Sequence, residues 1–208
     1  MHFVVRTVYF LIHHHMEIIF ATQNQNKVKE IQQLMPKGII VKSLKDIGCT
    51  DDIPETAETL EGNAVLKAKF VAEKFKVNCF ADDTGLEVIA LNGEPGVYSA
   101  RYAGKEKDAN ANMELLLHKL KDSKNRTAQF RTVIALILND ELHTFEGIVK
   151  GEIKHQLSGD HGFGYDPIFE PENKGKTFAE MTLYEKNQCS HRARAVEQLV
   201  RFLAEKRG

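Results

Sequence analysis

Four clusters of this sequence combine residue types that can bind and cleave a phosphorylated, planar small molecule. They are residues 22–27 with Glu30, residues 82–85, residues 162–167, and Lys186 with residues 190–192. Carboxylates can hold a divalent cation or accept a proton, whereas lysines and free backbone N–H groups attract phosphate. Aromatic rings can stack on a nucleobase.

The first cluster joins a short apolar strand, residues 18–21, to a helix predicted over residues 27–34. A strand-to-helix junction presents free N–H groups and the positive end of the helix dipole, and this arrangement suits phosphate. Lys27 adds a charge and Thr22 a hydroxyl. The pattern lacks the glycines and the Ser or Thr of a Walker loop. A polar loop with a solvated lysine remains the alternative. The other loop candidates are Gln23, Asn24, Gln25 and Asn26.

The second cluster places Asp82 and Asp83 after a strand predicted over residues 77–81. Thr84-Gly85 complete an interruption before a further strand predicted over residues 86–91. Adjacent carboxylates repel each other, so a half-buried pair needs a cation. Oxygen ligands favour Mg²⁺, with Mn²⁺ as a substitute. An exposed acidic turn is the alternative.

The third cluster is a glycine-rich loop. Gly162 and Gly164 allow the backbone to approach a ligand closely, and Phe163 or Tyr165 can stack on a purine. A tight turn whose aromatic rings anchor it to the core is the alternative.

The fourth cluster brings Lys186 near a helix start at Ser190. His191 and Arg192 follow directly. Cations at a helix N-terminus oppose the dipole, so they favour a nearby anion. A surface helix with scattered charges is the alternative.

Alternating strands and helices must position these clusters. Apolar periodicity predicts helices over residues 59–75 and 108–120 and a C-terminal helix capped by Ser190. Thr182 and Glu185 predict a capping box. Residues 127–138 and 142–154 predict a β-hairpin. These elements indicate one α/β domain around a mixed sheet.

Composition narrows the class of protein. The 208 residues carry a net charge of −1, which disfavours a nucleic-acid coat protein. No stretch approaches the ~20 apolar residues of a membrane span. Three widely spaced cysteines predict a reduced, cytoplasmic protein without disulfides. Residues 1–15, which include three consecutive histidines, are interpreted as a leader or tag-like extension, and residues 16–208 as the domain.

The clusters, in this order, resemble the inosine triphosphate pyrophosphatase family, also called Ham1-like. The residues that carry the resemblance are Ala21-Thr22, Asn24, Lys27, Glu30, Asn63-Ala64, Lys67-Ala68, residues 81–86, 95–102 and 162–169, Ala179-Glu180, Lys186 and residues 190–192. The resemblance implies an elongated α/β fold with mixed sheet and flanking helices, two lobes with a central nucleotide cleft, and a homodimer. It implies Mg²⁺-dependent hydrolysis of ITP, dITP and XTP to the monophosphate and pyrophosphate.

Residue roles follow from the same resemblance. Asp83 is expected to be the general base and a metal ligand. Asp82 and Glu55 are expected to hold the metal or its waters, and Lys27 and Lys67 to neutralise phosphate. The residues expected to form the base pocket or its wall are Phe163, Asp166, Lys186, His191 and Arg192, and Gly164 and Tyr165 are also expected to bind substrate.

Departures from the family pattern are few. Gln23 stands where glycine is usual, and Thr84 replaces the commoner serine. Ala57 and Gly62 change the acidic stretch, so Asp52 and Glu58 remain alternatives to Glu55 as the metal ligand. A hydrolase for other nucleotides and a non-catalytic nucleotide-binding protein are the rival functions, and a substrate panel separates them.

Overall fold

The computed structural model describes residues 16–51, 53 and 55–206. The leader interpretation of residues 1–15 and the alternative ligand Asp52 lie outside these described residues. Among the helices that are described, none combines the length and the apolar character needed to cross a membrane.

The described residues form one mixed sheet, as the sequence predicts, and it has six strands. They are β1 (Met16–Phe20), β2 (Ile39–Ser43), β3 (Cys79–Val88), β4 (Thr127–Leu138), β5 (Glu141–Ile153) and β6 (Phe169–Pro171). Their order is β2-β1-β3-β4-β5-β6. The pairs of β1 with β2 and β3 are parallel, and the remaining pairs are antiparallel.

Helices cover both faces of this sheet. They are α1 (Gln25–Leu34), α2 (Leu60–Phe75), α3 (Ala109–Lys119), α4 (Leu183–Asn187) and α5 (His191–Glu205). Ala81 of β3 belongs to the apolar cluster formed with Ala64 of α2. Its neighbour Phe80 belongs to the cluster formed with Ile31 of α1 and Leu199 of α5. Because successive side chains of a strand point to opposite faces, α2 lies on one face and α1 with α5 on the other.

The interruption predicted at residues 82–85, between strands over residues 77–81 and 86–91, is wrong, because β3 runs unbroken from Cys79 to Val88. Asp82 and Asp83 pair in register with Ile134 and Val133 of β4. Residues 82–85 have the polar composition of a loop, but β4 pairs with β3 along its whole length. Residues 89–91 form a 3-10 turn instead.

Local signals at the ends of elements are confirmed. Thr182 and Glu185 form the predicted capping box, and the Ser190 side chain accepts a hydrogen bond from the Ala193 N–H at the start of α5. The β4–β5 turn contains Asn139 and Asp140, both with positive φ as in a two-residue hairpin, and Glu141 belongs to β5.

Gly147 of β5 allows α5 to lie close to the sheet. A Cβ atom at this position would approach the His191 carbonyl oxygen to 2.0 Å. This close approach sets the position of the N-terminus of α5, where two candidate site residues lie.

Candidate active site

The two aspartates of β3 point to opposite faces of the sheet, so they do not share one cation. The Lys27 Nζ of α1 lies 2.8 Å from Asp82 Oδ1. The Lys67 Nζ of α2 lies 2.9 Å from Asp83 Oδ1. Each carboxylate therefore has its own lysine, on its own face.

On the α1 and α5 face, a buried chain of ion pairs extends from Asp82 to Asp166. Arg192 Nε donates to Asp82 Oδ2 at 3.0 Å, and Arg192 Nη1 also donates to Glu30. Lys186 Nζ donates to Glu30 Oε1 at 2.7 Å and to Asp166 Oδ2 at 2.6 Å. None of these five side chains is more than 5% exposed. We call these residues, with Lys27, the buried ion-pair chain; its three carboxylates balance its three cations.

Electrostatics favour the charged forms of two carboxylates of this chain, Asp82 and Glu30. Burial alone would raise the pKa of Asp82, but Lys27 and Arg192 outweigh it and hold the pKa below its usual range. The same competition, with Arg192 and Lys186 as the cations, lowers the pKa of Glu30. At Asp166 burial prevails over Lys186, and the pKa is raised.

On the α2 face, Lys67 joins two carboxylates. Its Nζ lies 2.8 Å from Glu55 Oε1 in addition to its contact with Asp83. Arg101 Nη1 donates to Glu55 Oε2 at 3.2 Å, and Asn63 Nδ2 donates to Asp83 Oδ2 at 3.4 Å. Burial raises the pKa of Asp83 although Lys67 opposes it. Asp83 is therefore a more basic carboxylate than an exposed aspartate.

A cavity of about 390 Å³ opens beside Asp83, where β1 has ended. β1 pairs with only the Cys79 and Phe80 end of β3, so the edge of β3 beyond Ala81 is free of that neighbour. We call this space the lysine-rich cavity. Its polar lining includes Thr22, Gln23, Asn24, Lys27, Glu55, Lys67, Asp83, Thr84 and Lys107.

A second cavity of about 330 Å³ lies on the α1 side. We call it the aromatic cavity. Its lining includes Asn26, Glu30, Phe163, Phe178, Met181 and Lys186. Lys186 Nζ lies 4.9 Å from the centre of the Phe163 ring. The buried ion-pair chain thus reaches the aromatic cavity at Lys186 and the lysine-rich cavity at Lys27.

The glycine-rich loop is fixed by Asp166. Gly162 has φ +76°, and a Cβ there would overlap Asp166 Oδ2, so only glycine fits. The same carboxylate oxygen accepts a hydrogen bond from the Phe163 N–H at 2.7 Å. Tyr165 is buried and donates its hydroxyl to the Ser99 carbonyl at 2.9 Å. Tyr165 therefore anchors the loop, and Phe163 is the ring that lines the aromatic cavity.

His191 lies behind this loop. Its ring stacks on Phe130 with centroids 4.5 Å apart, and its Nδ1 has no hydrogen-bond partner within the described residues. Burial, with help from Arg192 and Lys186, lowers the pKa of His191 well below its usual value, so the ring is neutral. With Gly164, Tyr165 and Thr84, it lines a small space of about 90 Å³ between the two larger cavities.

Most of the predicted site residues line these cavities, but the residues of the loop after β1 do not all do so. Asn24 Oδ1 accepts hydrogen bonds from the N–H groups of Asn26 and Lys27, so the predicted phosphate cradle is already capped in part. Gln25 lines neither large cavity. Gln23 Nε2 instead donates to the Asp51 carbonyl at 2.7 Å, which ties the loop to the acidic stretch.

Two participants, Arg101 and Lys107, were not among the sequence candidates, and Glu30 was a member of the first cluster without an assigned role. Glu30 is the bridge between Lys186 and Arg192, Arg101 holds Glu55, and Lys107 lines the lysine-rich cavity. Glu30 and Arg101 belong to the segments that carry the family resemblance, which was the available signal. No local pattern marks Lys107.

The donor set suits magnesium. The described residues contain no group of three or more His, Cys, Asp or Glu side chains arranged to hold a metal ion. Glu55 and Asp83 nevertheless converge on the same Lys67 Nζ. Magnesium is usually held by one or two carboxylates together with substrate phosphates, so this pair fits it. Both oxygens of Asp82 are occupied by Lys27 and Arg192.

Comparisons with known proteins identify one family. A family model described as the Ham1 family matches residues 18–202. The dITP/XTP pyrophosphatase of Flavobacterium johnsoniae is 57% identical over 188 residues, which cover 90% of this chain and 98% of that protein. The enzyme of the same name from Bacillus subtilis is 49% identical over 191 residues, covering 90% and 96%.

Solved structures match equally well. The Staphylococcus aureus Ham1 protein aligns with a TM-score of 0.83 and 42% identity, over 91% of this chain and 99% of that one. A HAM1 protein from Coxiella burnetii aligns with a TM-score of 0.84 and 39% identity, over the same shares.

Proposed function

Because this chain belongs to the Ham1 family, we propose that it hydrolyses non-standard purine nucleoside triphosphates, including ITP, dITP and XTP, to the monophosphate and pyrophosphate. The observation that carries this proposal is the buried ion-pair chain, which joins an aromatic cavity to a lysine-rich cavity. A nucleotide has the matching division, with a planar base at one end and charged phosphates at the other. The reaction would remove damaged purine nucleotides from the nucleotide pool.

The aromatic cavity suits the base. Phe163 offers a ring face for stacking. The Lys186 ammonium has three N–H donors, and Glu30 and Asp166 accept from it. One donor is left for a ligand acceptor such as a 6-keto oxygen. ATP presents an amino group there, and an unpaired buried donor costs about 1–3 kcal/mol, so the pocket would disfavour ATP.

The lysine-rich cavity suits the phosphates. Lys27 and Lys67 bring positive charge, and Thr22 and Thr84 bring hydroxyl groups. We propose that Mg²⁺, with Mn²⁺ as a substitute, is held by Glu55 and Asp83. When bound, this ion would neutralise phosphate charge in the transition state. We assign Asp82 to holding Lys27 and Arg192, since its oxygens face those cations.

Asp83 is the residue we propose as general base. Its raised pKa, caused by burial, makes it a better proton acceptor than an exposed aspartate. Lys67 and Asn63 fix the orientation of its carboxylate. From this position it would remove a proton from a water that attacks the phosphate next to the sugar.

We also propose that the protein acts as a homodimer in the cytoplasm. Support for a reducing compartment comes from Cys49, Cys79 and Cys189, which are buried and free. Support for a dimer is the family resemblance. Sedimentation at micromolar concentration tests it, and a single species with the mass of one chain would contradict it.

Pyrophosphate release from ITP, dITP, XTP, GTP, ATP and a pyrimidine triphosphate, with Mg²⁺ and then Mn²⁺, tests the function. Preference for ITP, dITP and XTP over ATP supports the proposal. Equal turnover of pyrimidine triphosphates would indicate a hydrolase for other nucleotides. Binding without turnover would indicate a nucleotide-binding protein. Asp140→Asn, in the exposed β4–β5 turn, is the matched control for Asp83→Asn.

A further inference from the structure

Three lysines line the lysine-rich cavity, and they differ in their partners. Lys27 is paired with Asp82, and Lys67 with Asp83 and Glu55. Lys107 makes no hydrogen bond or ion pair with the described residues. Of the three lysines, Lys107 is therefore the one that contacts no carboxylate of the described residues.

Charge balance makes this difference important. Asp82, Asp83 and Glu55 together offset the charges of Lys27 and Lys67. A nucleoside triphosphate brings about four further negative charges to the site. The net attraction of the paired lysines for those charges is therefore reduced, whereas no carboxylate among the described residues is paired with the charge of Lys107.

Lys107 also lies at a defined end of the site. From the aromatic cavity, the contacts run through Lys186, Glu30 and Arg192 to Asp82. Asp83, on the next residue of β3, leads through Lys67 to Glu55. Lys107 lines the same cavity as Glu55 and does not line the aromatic cavity, so it lies at the end away from the base. A triphosphate whose base occupies the aromatic cavity extends its β- and γ-phosphates toward this end.

We propose that Lys107 binds the β- and γ-phosphates of the substrate and the pyrophosphate that leaves. This assignment rests on the proposed function, because it takes the base to lie in the aromatic cavity. Lys107 acts by charge on the leaving group and does not contact the base. Its contribution belongs to pyrophosphate and triphosphate ligands and is absent from monophosphates.

The variants are chosen for the local backbone. Lys107 has φ +55° and immediately precedes Asp108, whose side chain caps α3. Glycine would relax this conformation, so Lys107→Gln is the better variant: it keeps the length of the side chain and removes only the charge. Lys107→Arg keeps the charge. Lys105→Gln is the matched control, since Lys105 is an exposed lysine two residues away that does not line the cavity.

Calorimetric titration measures the affinity of each variant for inorganic pyrophosphate and for IMP, in buffer with Mg²⁺. We expect Lys107→Gln to weaken pyrophosphate binding by about tenfold, the order of one lost charged hydrogen bond, and to leave IMP binding unchanged. Lys107→Arg and Lys105→Gln should bind pyrophosphate within about twofold of the wild type. KM for ITP should rise in Lys107→Gln alone.

Two results would overturn the assignment. Pyrophosphate affinity of Lys107→Gln equal to that of Lys105→Gln would remove Lys107 from the site. Equal weakening of pyrophosphate and IMP would show that the change disturbs the site as a whole. Hydrolysis of ITP by the wild type is measured separately. Its absence would refute the proposed function, whereas activity with an unaffected Lys107→Gln variant would refute only the role of Lys107.

Discussion

Arg192→Ala should destabilise the protein far more than the same change at Arg201, although both residues lie on α5. The Arg192 side chain is 1% exposed and contacts Glu30, Asp82 and Thr84. The Arg201 side chain is 71% exposed, and among the described residues it pairs only with Glu197, at 3.4 Å. The helix and the substitution are the same, so the comparison isolates the buried contacts.

The expected loss in free energy of unfolding follows from the carboxylates that lose a partner when Arg192 is truncated. Without Arg192, the ion-pair partners left within residues 16–51, 53 and 55–206 are Lys186 for Glu30 and Lys27 for Asp82. Removing one partner of a buried ion pair typically costs about 3–5 kcal/mol, because the remaining charge is poorly compensated. Surface substitutions usually stay within about 0.5 kcal/mol. We therefore expect a difference of about 3 kcal/mol or more between the two variants.

Urea unfolding followed by circular dichroism at pH 7 measures this difference directly. In a protein of this size, about 3 kcal/mol corresponds to a fall in Tm of at least about 6 °C. A free energy of unfolding for Arg192→Ala within about 1 kcal/mol of that of Arg201→Ala would refute the reasoning, because the buried contacts would then contribute little.

The pH dependence gives a second check. The lowered pKa of Glu30 in the folded wild type contributes stability that is present above its usual value of 4.5 and is lost as pH falls through the folded value. Arg192→Ala removes a main cause of that lowering. The gap between wild type and Arg192→Ala should therefore narrow as pH falls below about 4.5. A gap that stays constant would contradict the assigned cause.

Three further experiments test the site. Asp83→Asn should keep the fold but lower ITP turnover by about 10²–10⁴-fold, measured as pyrophosphate release, and near-normal turnover would remove its role as base. Below pH ~6.5 the unfolded chain binds a proton at His191 that the buried ring does not, so the wild type loses at most about 1.4 kcal/mol of its free energy of unfolding per pH unit. His191→Phe should reduce this loss. A free energy of unfolding with the same pH dependence in both proteins would contradict this. Arg192→Ala, assayed where it is folded, should lower the ITP-to-ATP ratio of kcat/KM by at least about tenfold; a flat ratio would assign Arg192 to phosphate.

The sequence determined the elements whose signals are local. The apolar stripe of α2, the capping box at Thr182 and the Ser190 cap each depend on side chains a few residues apart, and each is found in the structure. The sequence also predicted the chemical character of the four clusters, because residue type alone determines which groups can carry charge.

The prediction from local sequence was wrong for the middle of β3. Its polar residues from Asp82 to Gly85 have the composition of a loop, yet they form ladder pairs with β4. Strand formation here depends on a partner strand about fifty residues away and on lysines from two helices, and no short window of sequence contains these.

Only the tertiary structure decided which charges meet. Lys186 reaches Glu30 across 156 residues of chain, and Arg192 reaches Asp82 across 110. The alternation of side chains along β3 then sends Asp82 to Lys27 and Asp83 to Lys67, although the two aspartates are adjacent. A buried charge is stable only beside a partner, and packing of the helices on the two faces of the sheet determines which partner is within reach.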